Sequence, residues 1–150
     1  MPVNPEYAGR EYPPAGPFPV TREEIAAFAD ALGSTGAAHR EVEAARALGY
    51  ADVVAPPTFA VRLSQQCEAQ VVRDPGAGID FARVVHGEEA FTHHRPIVAG
   101  DELRGVLTID SVRSAGGHTM VTMRSDLVDP DDQPVATSLS TIVIRGEESA

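Results

Sequence analysis

A change of character near residue 79 constrains this 150-residue chain more than any other feature. Before it, apolar residues recur every three or four positions. After it, Val, Ile and Thr become frequent and the spacing shifts toward two. Helices first and then a run of strands imply an α+β fold with a largely antiparallel sheet.

The finer signals divide each half. Residues 1–20, rich in proline, glycine and tyrosine, read as an irregular arm with one short extended piece near Ala8–Tyr12. Thr21 caps a helix, Glu24 completes a capping box, and Val20 and Ile25 form a staple across it. Ile25, Phe28, Ala29 and Leu32 share one face, and Gly33 is the stop. A second short helix fits Arg40–Leu48. After the Pro56-Pro57 break, a third runs over about 58–72, with Phe59, Leu63, Cys67 and Val71 recurring every four residues. Asp74-Pro75-Gly76 ends it. Strands are expected near 81–94, 102–113, 119–128 and 134–145. Ser114–Gly117 and Asp129–Asp132 are the turn candidates, and Pro96 and Gly100-Asp101 separate the first two strands. The third helix is long and apolar enough for the sheet to wrap it.

Composition narrows the function. Hydrophobic residues make up 43% of the chain, enough for a real core, and 150 residues are most simply one domain, 1–150. A net charge of -10 argues against nucleic acid as a partner. No apolar run approaches the roughly 20 residues that span a bilayer, so no membrane role is expected. The N-terminus lacks a secretion-signal pattern and the single cysteine, Cys67, cannot pair internally; a cytoplasmic location is the expectation. All twelve basic residues are arginine, which carries no functional weight beside so much Ala, Gly and Pro.

Three stretches carry a likeness: Ala44-Ala45-Arg46-Ala47-Leu48-Gly49-Tyr50, Val54-Ala55-Pro56-Pro57-Thr58-Phe59, and Val85-His86-Gly87-Glu88 leading into His94–Asp101. From about Tyr7 to Arg145 the chain resembles the MaoC-like hot-dog dehydratases, in particular the small (3R)-hydroxyacyl-ACP dehydratase subunits of the HadA and HadC type. The resemblance implies a hot-dog fold, an antiparallel sheet wrapped around a central helix at about 58–72. It implies acyl-CoA or acyl-ACP thioesters as ligands and no cofactor. It also implies subunits that pair edge to edge, with sites at the interface.

Catalytic members of that family carry a G-D-x-N-P-x-H motif whose Asp and His hold the reacting water. A backbone N–H at the start of the central helix polarises the thioester carbonyl. Proton transfer needs groups of suitable pKa within reach, and the oxyanion needs aimed donors. Here Gly33 and His39 match the Gly and His, but Ser34 stands for the Asp, Gly36 for the Asn and Ala37 for the Pro. A hydroxyl cannot act as a carboxylate base. Pro57 stands where a glycine N–H is expected and has none to offer; Thr58 is the nearest remaining donor. The resemblance therefore implies the non-catalytic, acyl-binding half of a heterodimer in fatty-acid metabolism. A HadB-like partner would supply Asp and His. His39 remains as a remnant, and Pro57, Thr58, Phe59, Phe91 and Arg95 are candidates for contact with substrate.

Bland readings stand beside these. Phe59, Leu63 and Phe91 are equally ordinary core, and Arg95 is equally a solvated residue before a turn. His86, Glu88, Thr92 and His94 would share one face of a strand, opposite Val85, Gly87, Phe91 and His93. Ligands spread so far along one strand do not converge on a metal, so none is expected. Two rival functions remain: an acyl-CoA thioesterase using Glu88 or Glu89, and a non-enzymatic acyl-thioester-binding homodimer.

Overall fold

Local chemistry sets the helix boundaries. In the computed structural model, which describes residues 2–147, the Thr21 hydroxyl accepts the Glu24 N–H at 3.1 Å and starts α1, Arg22–Leu32. Gly33 at φ 72° ends it, and the Ser34 N–H folds back to the Ala29 carbonyl at 2.9 Å. That backbone region suits glycine. The expected second helix is shorter than its pattern. Ala37–His39 form a separate 3-10 turn, Glu41 is extended, and α2 covers only Val42–Ala47. Pro57–Ala60 make another 3-10 turn, which runs directly into α3, Val61–Arg73.

Five strands form one antiparallel sheet: β1 Ala15–Pro19, β2 Val84–His93, β3 Glu102–Ala115, β4 His118–Val128 and β5 Pro134–Ile144, in the order β1-β3-β4-β5-β2. The chain has an α+β, hot-dog architecture, the sheet curling around α3. The β3–β4 hairpin turns at Gly116-Gly117, both at positive φ, as a two-residue turn requires. The Asp129 carboxylate holds the next turn, accepting the Asp131 and Gln133 N–H groups at 2.9 Å each. The N-terminal arm is extended beyond the expected piece. Ala8–Tyr12 lie against β3 through the Glu11–Thr108 bridge and backbone bonds at Gly9, Arg10 and Tyr12, and the longer edge strand, β1, follows them. An edge tolerates prolines, so Pro17 and Pro19 do not bar it.

The core lies between α3 and the inner face of the sheet. Phe59, Leu63, Cys67 and Val71 are all buried, as their spacing predicts. A second row, Ala60 at the end of the turn and Ser64 and Glu68 on α3, is buried beside them. The sheet meets this polar row with Ser125, Ser138 and Ser140, also buried. Small residues let the layers approach. At Gly105 an added Cβ would collide with the Cys67 sulfur, so a larger residue there would force α3 away from the sheet.

One strand departs from simple alternation. A bulge falls between His86 and Glu88 in the β2–β5 register. His86 pairs with Ile142, Glu89 with Ser140, Phe91 with Ser138 and His93 with Ala136. Ile142, Ser140, Ser138 and Ala136 are all buried. His86, Glu89, Phe91 and His93 therefore share the inner face. This corrects the expected grouping of His86 with Glu88, Thr92 and His94, because one extra residue reverses the facing of everything before it. Among the described residues no helix is long and apolar enough to cross a membrane.

Candidate active site

The site forms where a short extended segment, residues 52–56, feeds the turn that starts α3. Arg22 holds this segment to α1 through two bonds to Asp52, at 2.9 and 2.8 Å. Arg22, and after it the Val53 N–H, hold the Asp52 carboxyl down to about 2. The Val54 N–H bonds to the Ala38 carbonyl at 3.0 Å on one side. On the other side, the Ala55 N–H reaches Ile97 at 2.8 Å and the Ala99 N–H reaches Val53 at 3.0 Å. The segment is thus clamped between the Ala37–His39 turn and the loop after β2.

A cavity of about 470 Å³ opens there, lined in part by His39, Tyr50, Pro57, His93, His94 and Arg95. His39 Nδ1 donates to the Val54 carbonyl oxygen at 2.6 Å. A carbonyl only accepts, so Nδ1 carries a proton, and Nε2 is the nitrogen left to accept one in the neutral ring. His93 Nε2 donates to the Pro57 carbonyl at 2.8 Å, fastening the end of β2 to the turn before α3. Pro56 and Pro57 carry no N–H, and Thr58 is the first residue of that turn that does.

Arg95 lies at the rim and is committed elsewhere. Its guanidinium makes a two-pronged pair with Asp101, at 2.9 and 3.1 Å, and Asp101 also accepts the Val98 N–H at 3.0 Å. The Asp101 partnership, by its hydrogen bonds first, holds the Arg95 pKa above its ordinary value. No carboxylate is among the lining residues. The cavity presents imidazoles, the Tyr50 phenol, a paired guanidinium and backbone, and no carboxylate that could share a water with His39.

The other sequence candidates fall at varied distances from this cavity. Ser34 is half-buried at the end of α1; its carbonyl accepts from Arg40 at 2.5 Å, and it is not part of the lining. Thr58 is exposed just beyond the rim. Phe59 is fully buried and meets Phe28 edge to face at 5.5 Å. Phe91 is half-buried, packed against the core, with its ring 6.3 Å from that of His93. Tyr50 and His93 were not singled out for this site. The signal for His93 was its place two residues after Phe91 on a strand, on the same face. Among the described residues no three His, Cys, Asp or Glu side chains gather as a metal would need.

Comparison with known proteins gives concordant results. Residues 6–138 match the family described as FAS1-like, dehydratase domain region. A UPF0336 protein of Clavibacter michiganensis is 51% identical over 149 residues, covering 99% of this chain and all of the relative. One from Saccharopolyspora erythraea is 47% identical over 97% of this chain and 94% of its own length. Among solved structures, a MaoC-like dehydratase superposes with a TM-score of 0.85 at 31% identity over 93% of this chain, which spans only 42% of that longer protein. The HadBC (3R-hydroxyacyl-ACP dehydratase) complex of Mycobacterium tuberculosis gives 0.80 at 30% identity, over 91% of this chain and 96% of the other. The ChsH1-ChsH2 complex of the same organism gives 0.73 at 20%, a likeness of fold.

Proposed function

Because this chain belongs to the family of FAS1-like dehydratase domain regions, within the MaoC-like hot-dog dehydratases, we propose that it is the acyl-thioester-binding, non-catalytic subunit of a hydroxyacyl dehydratase. The observation that carries this reading is a cavity that keeps a correctly polarised histidine, His39, yet has no carboxylate in its lining. Adding or removing water at the β-carbon of a thioester requires a proton to be taken from one atom and given to another. His39 without a carboxylate partner is a poor device for both tasks.

A partner supplies what is missing. β2 lies at the sheet edge, with no strand beyond it among the described residues. It carries ten residues of backbone able to pair with another subunit, and unprotected edges of this length normally pair or are covered. Both the HadBC and ChsH1-ChsH2 structures are complexes of two different chains, which supports a second hot-dog subunit here. Joined along β2, its catalytic Asp and His would stand near His93 and the turn that starts α3, where Thr58 is the available oxyanion donor. The substrate is an acyl-CoA or acyl-ACP thioester bound across that junction.

The thioesterase alternative needs a carboxylate at the thioester. Glu88 is exposed, and Glu89 accepts a hydrogen bond from Ser138 at 2.5 Å; neither lines the cavity. The test is hydration of crotonyl-CoA by this chain alone, by a HadB-like subunit alone and by the two mixed. Turnover that appears or rises at least tenfold on mixing supports the proposal. Equal and rapid turnover by the lone chain overturns it.

A further inference from the structure

The sheet has two edges, and the sequence treats them differently. β1, only five residues long, carries Pro17 and Pro19, which have no N–H to offer a further strand. β2 has no proline in its ten residues, and its free edge is unpaired among the described residues. The two middle residues of that strand are Glu88 and Glu89. Glu88 is exposed; Glu89 is half-buried on the inner face, where it accepts from Ser138 at 2.5 Å. None of the ion pairs among the described residues includes either of them.

Charge at the middle of an open edge decides what can pair with it. Antiparallel strands set opposite side chains about 5 Å apart, and like charges directly opposite are destabilising. A second copy of β2, aligned about a two-fold axis at the strand's midpoint, sets Glu88 against its own counterpart, Glu89 against its own, or one against the other. Sliding the axis away relieves the clash only by giving up paired length. The second copy brings no cation to the middle either. β2 contains no arginine, the chain has no lysine, and His86 and His93 fall away from the axis. Nor does Glu89 find relief inward. Glu68 is buried behind it, and burial first and Glu89 second push the Glu68 carboxyl up to about 7. A carboxylate that pairing takes out of water needs a cation in exchange. Inward-facing charges on edge strands are a means of refusing the wrong strand.

Resting on the reading of β2 as the edge that joins two subunits, we propose that Glu88 and Glu89 choose the partner: they refuse a second copy of this chain and accept the edge strand of a different chain that sets an arginine or lysine against them. The partner's cation replaces the water that the two carboxylates lose. The same charges that hold two acidic copies apart draw a complementary strand in, which makes the pairing selective as well as favourable.

The test measures self-association of the full chain by sedimentation velocity and, separately, its affinity for a HadB-like subunit. Glu88→Gln combined with Glu89→Gln removes both charges, and an amide at position 89 can still meet Ser138. The double variant is expected to self-associate at least tenfold more tightly than wild type and to bind the HadB-like subunit at least tenfold more weakly. Added salt should narrow both differences. Equal self-association of the two forms overturns the refusal of a second copy. Unchanged affinity for the HadB-like subunit overturns the demand for a cation. A HadB-like subunit that binds neither form, with the gain in self-association intact, counts against the heterodimer reading and supports the exclusion of a second copy. Should the double variant fold poorly, Glu88→Gln alone, which leaves the Ser138 bond untouched, must shift both affinities in the same directions, and its failure to do so overturns the proposal.

Discussion

His39 Nδ1 and the Val54 carbonyl oxygen stand 2.6 Å apart, and that bond fixes which nitrogen of the ring can accept a proton. Nε2 turns toward Gly36, where an added Cβ would sit 3.5 Å from it. The histidine is therefore oriented, and what the cavity lacks is its acidic companion.

Restoring the missing carboxylate at its motif position should not restore catalysis. Ser34 ends α1 outside the cavity lining, bonded through its backbone to Ala29 and Arg40. In a lone-chain hydration assay, Ser34→Asp should stay within about threefold of wild type, because proton transfer requires hydrogen-bond reach. A gain of tenfold or more would show that the position communicates with His39 after all.

Glu68 should make stability fall as pH rises from about 4.5 to about 7. Its folded pKa is about 7, above the ordinary carboxylate range. Below about 4.5 the group is protonated in both states. Between the two values the unfolded chain gives up a proton that the folded chain keeps, and stability declines; above 7 the loss is complete. The full effect is on the order of 3 kcal/mol. Asp52 works in the opposite sense, its pKa held at about 2, but its contribution is complete above pH 5. Urea melts between pH 5 and 8 should therefore show a slope that Glu68→Gln flattens. An unchanged slope in that variant would assign it elsewhere.

Gly105→Ala should destabilise the protein by about 1–3 kcal/mol, the usual cost of overpacking. The new methyl meets the Cys67 sulfur. Adding Cys67→Ala should recover a large part of the loss, since the two changes occupy the same space. Thermal melts of both singles and the double give the coupling directly; additive losses would contradict the contact.

Arg95→Ala and Asp101→Ala should lower stability alike, each by about 1 kcal/mol after allowance for solvent screening. The Arg95 side chain is 35% exposed and doubly bonded to Asp101. Arg95 is read here as a brace for the 95–101 loop. In the reconstituted complex both variants should shift KM in the same direction. A KM increase confined to Arg95→Ala would make the guanidinium a ligand group for phosphate.

The parts legible beforehand were those with local causes. Thr21 with Glu24 marked one end of α1 and Gly33 the other, because capping and left-handed backbone depend on a few adjacent residues. The four-residue stripe from Phe59 to Val71 marked the central helix, and alternating Val, Ile and Thr marked four strands. Of the Gly33–His39 and Pro56–Phe59 stretches, His39, Pro56 and Pro57 line the cavity proposed as the site, and Ser34, Thr58 and Phe59 do not. The strand Ala15–Pro19 went unread beside the extended Ala8–Tyr12 piece, because an edge strand is chosen by what it lies against, and β3 accepts both. The face of His86 misled because a bulge is settled by pairing with β5.

From its residues alone, then, this chain determined its α+β class and its central helix, and it carries a serine, not an acid, at position 34. These follow from periodicity and from side-chain chemistry, which need no neighbours in space. Only the tertiary structure decided that Arg95 belongs to Asp101, that His93 joins the cavity of His39, and that Glu68 is buried near Glu89. Each of these depends on segments far apart in sequence being packed together, and polarity alone does not reveal which groups packing will deprive of water.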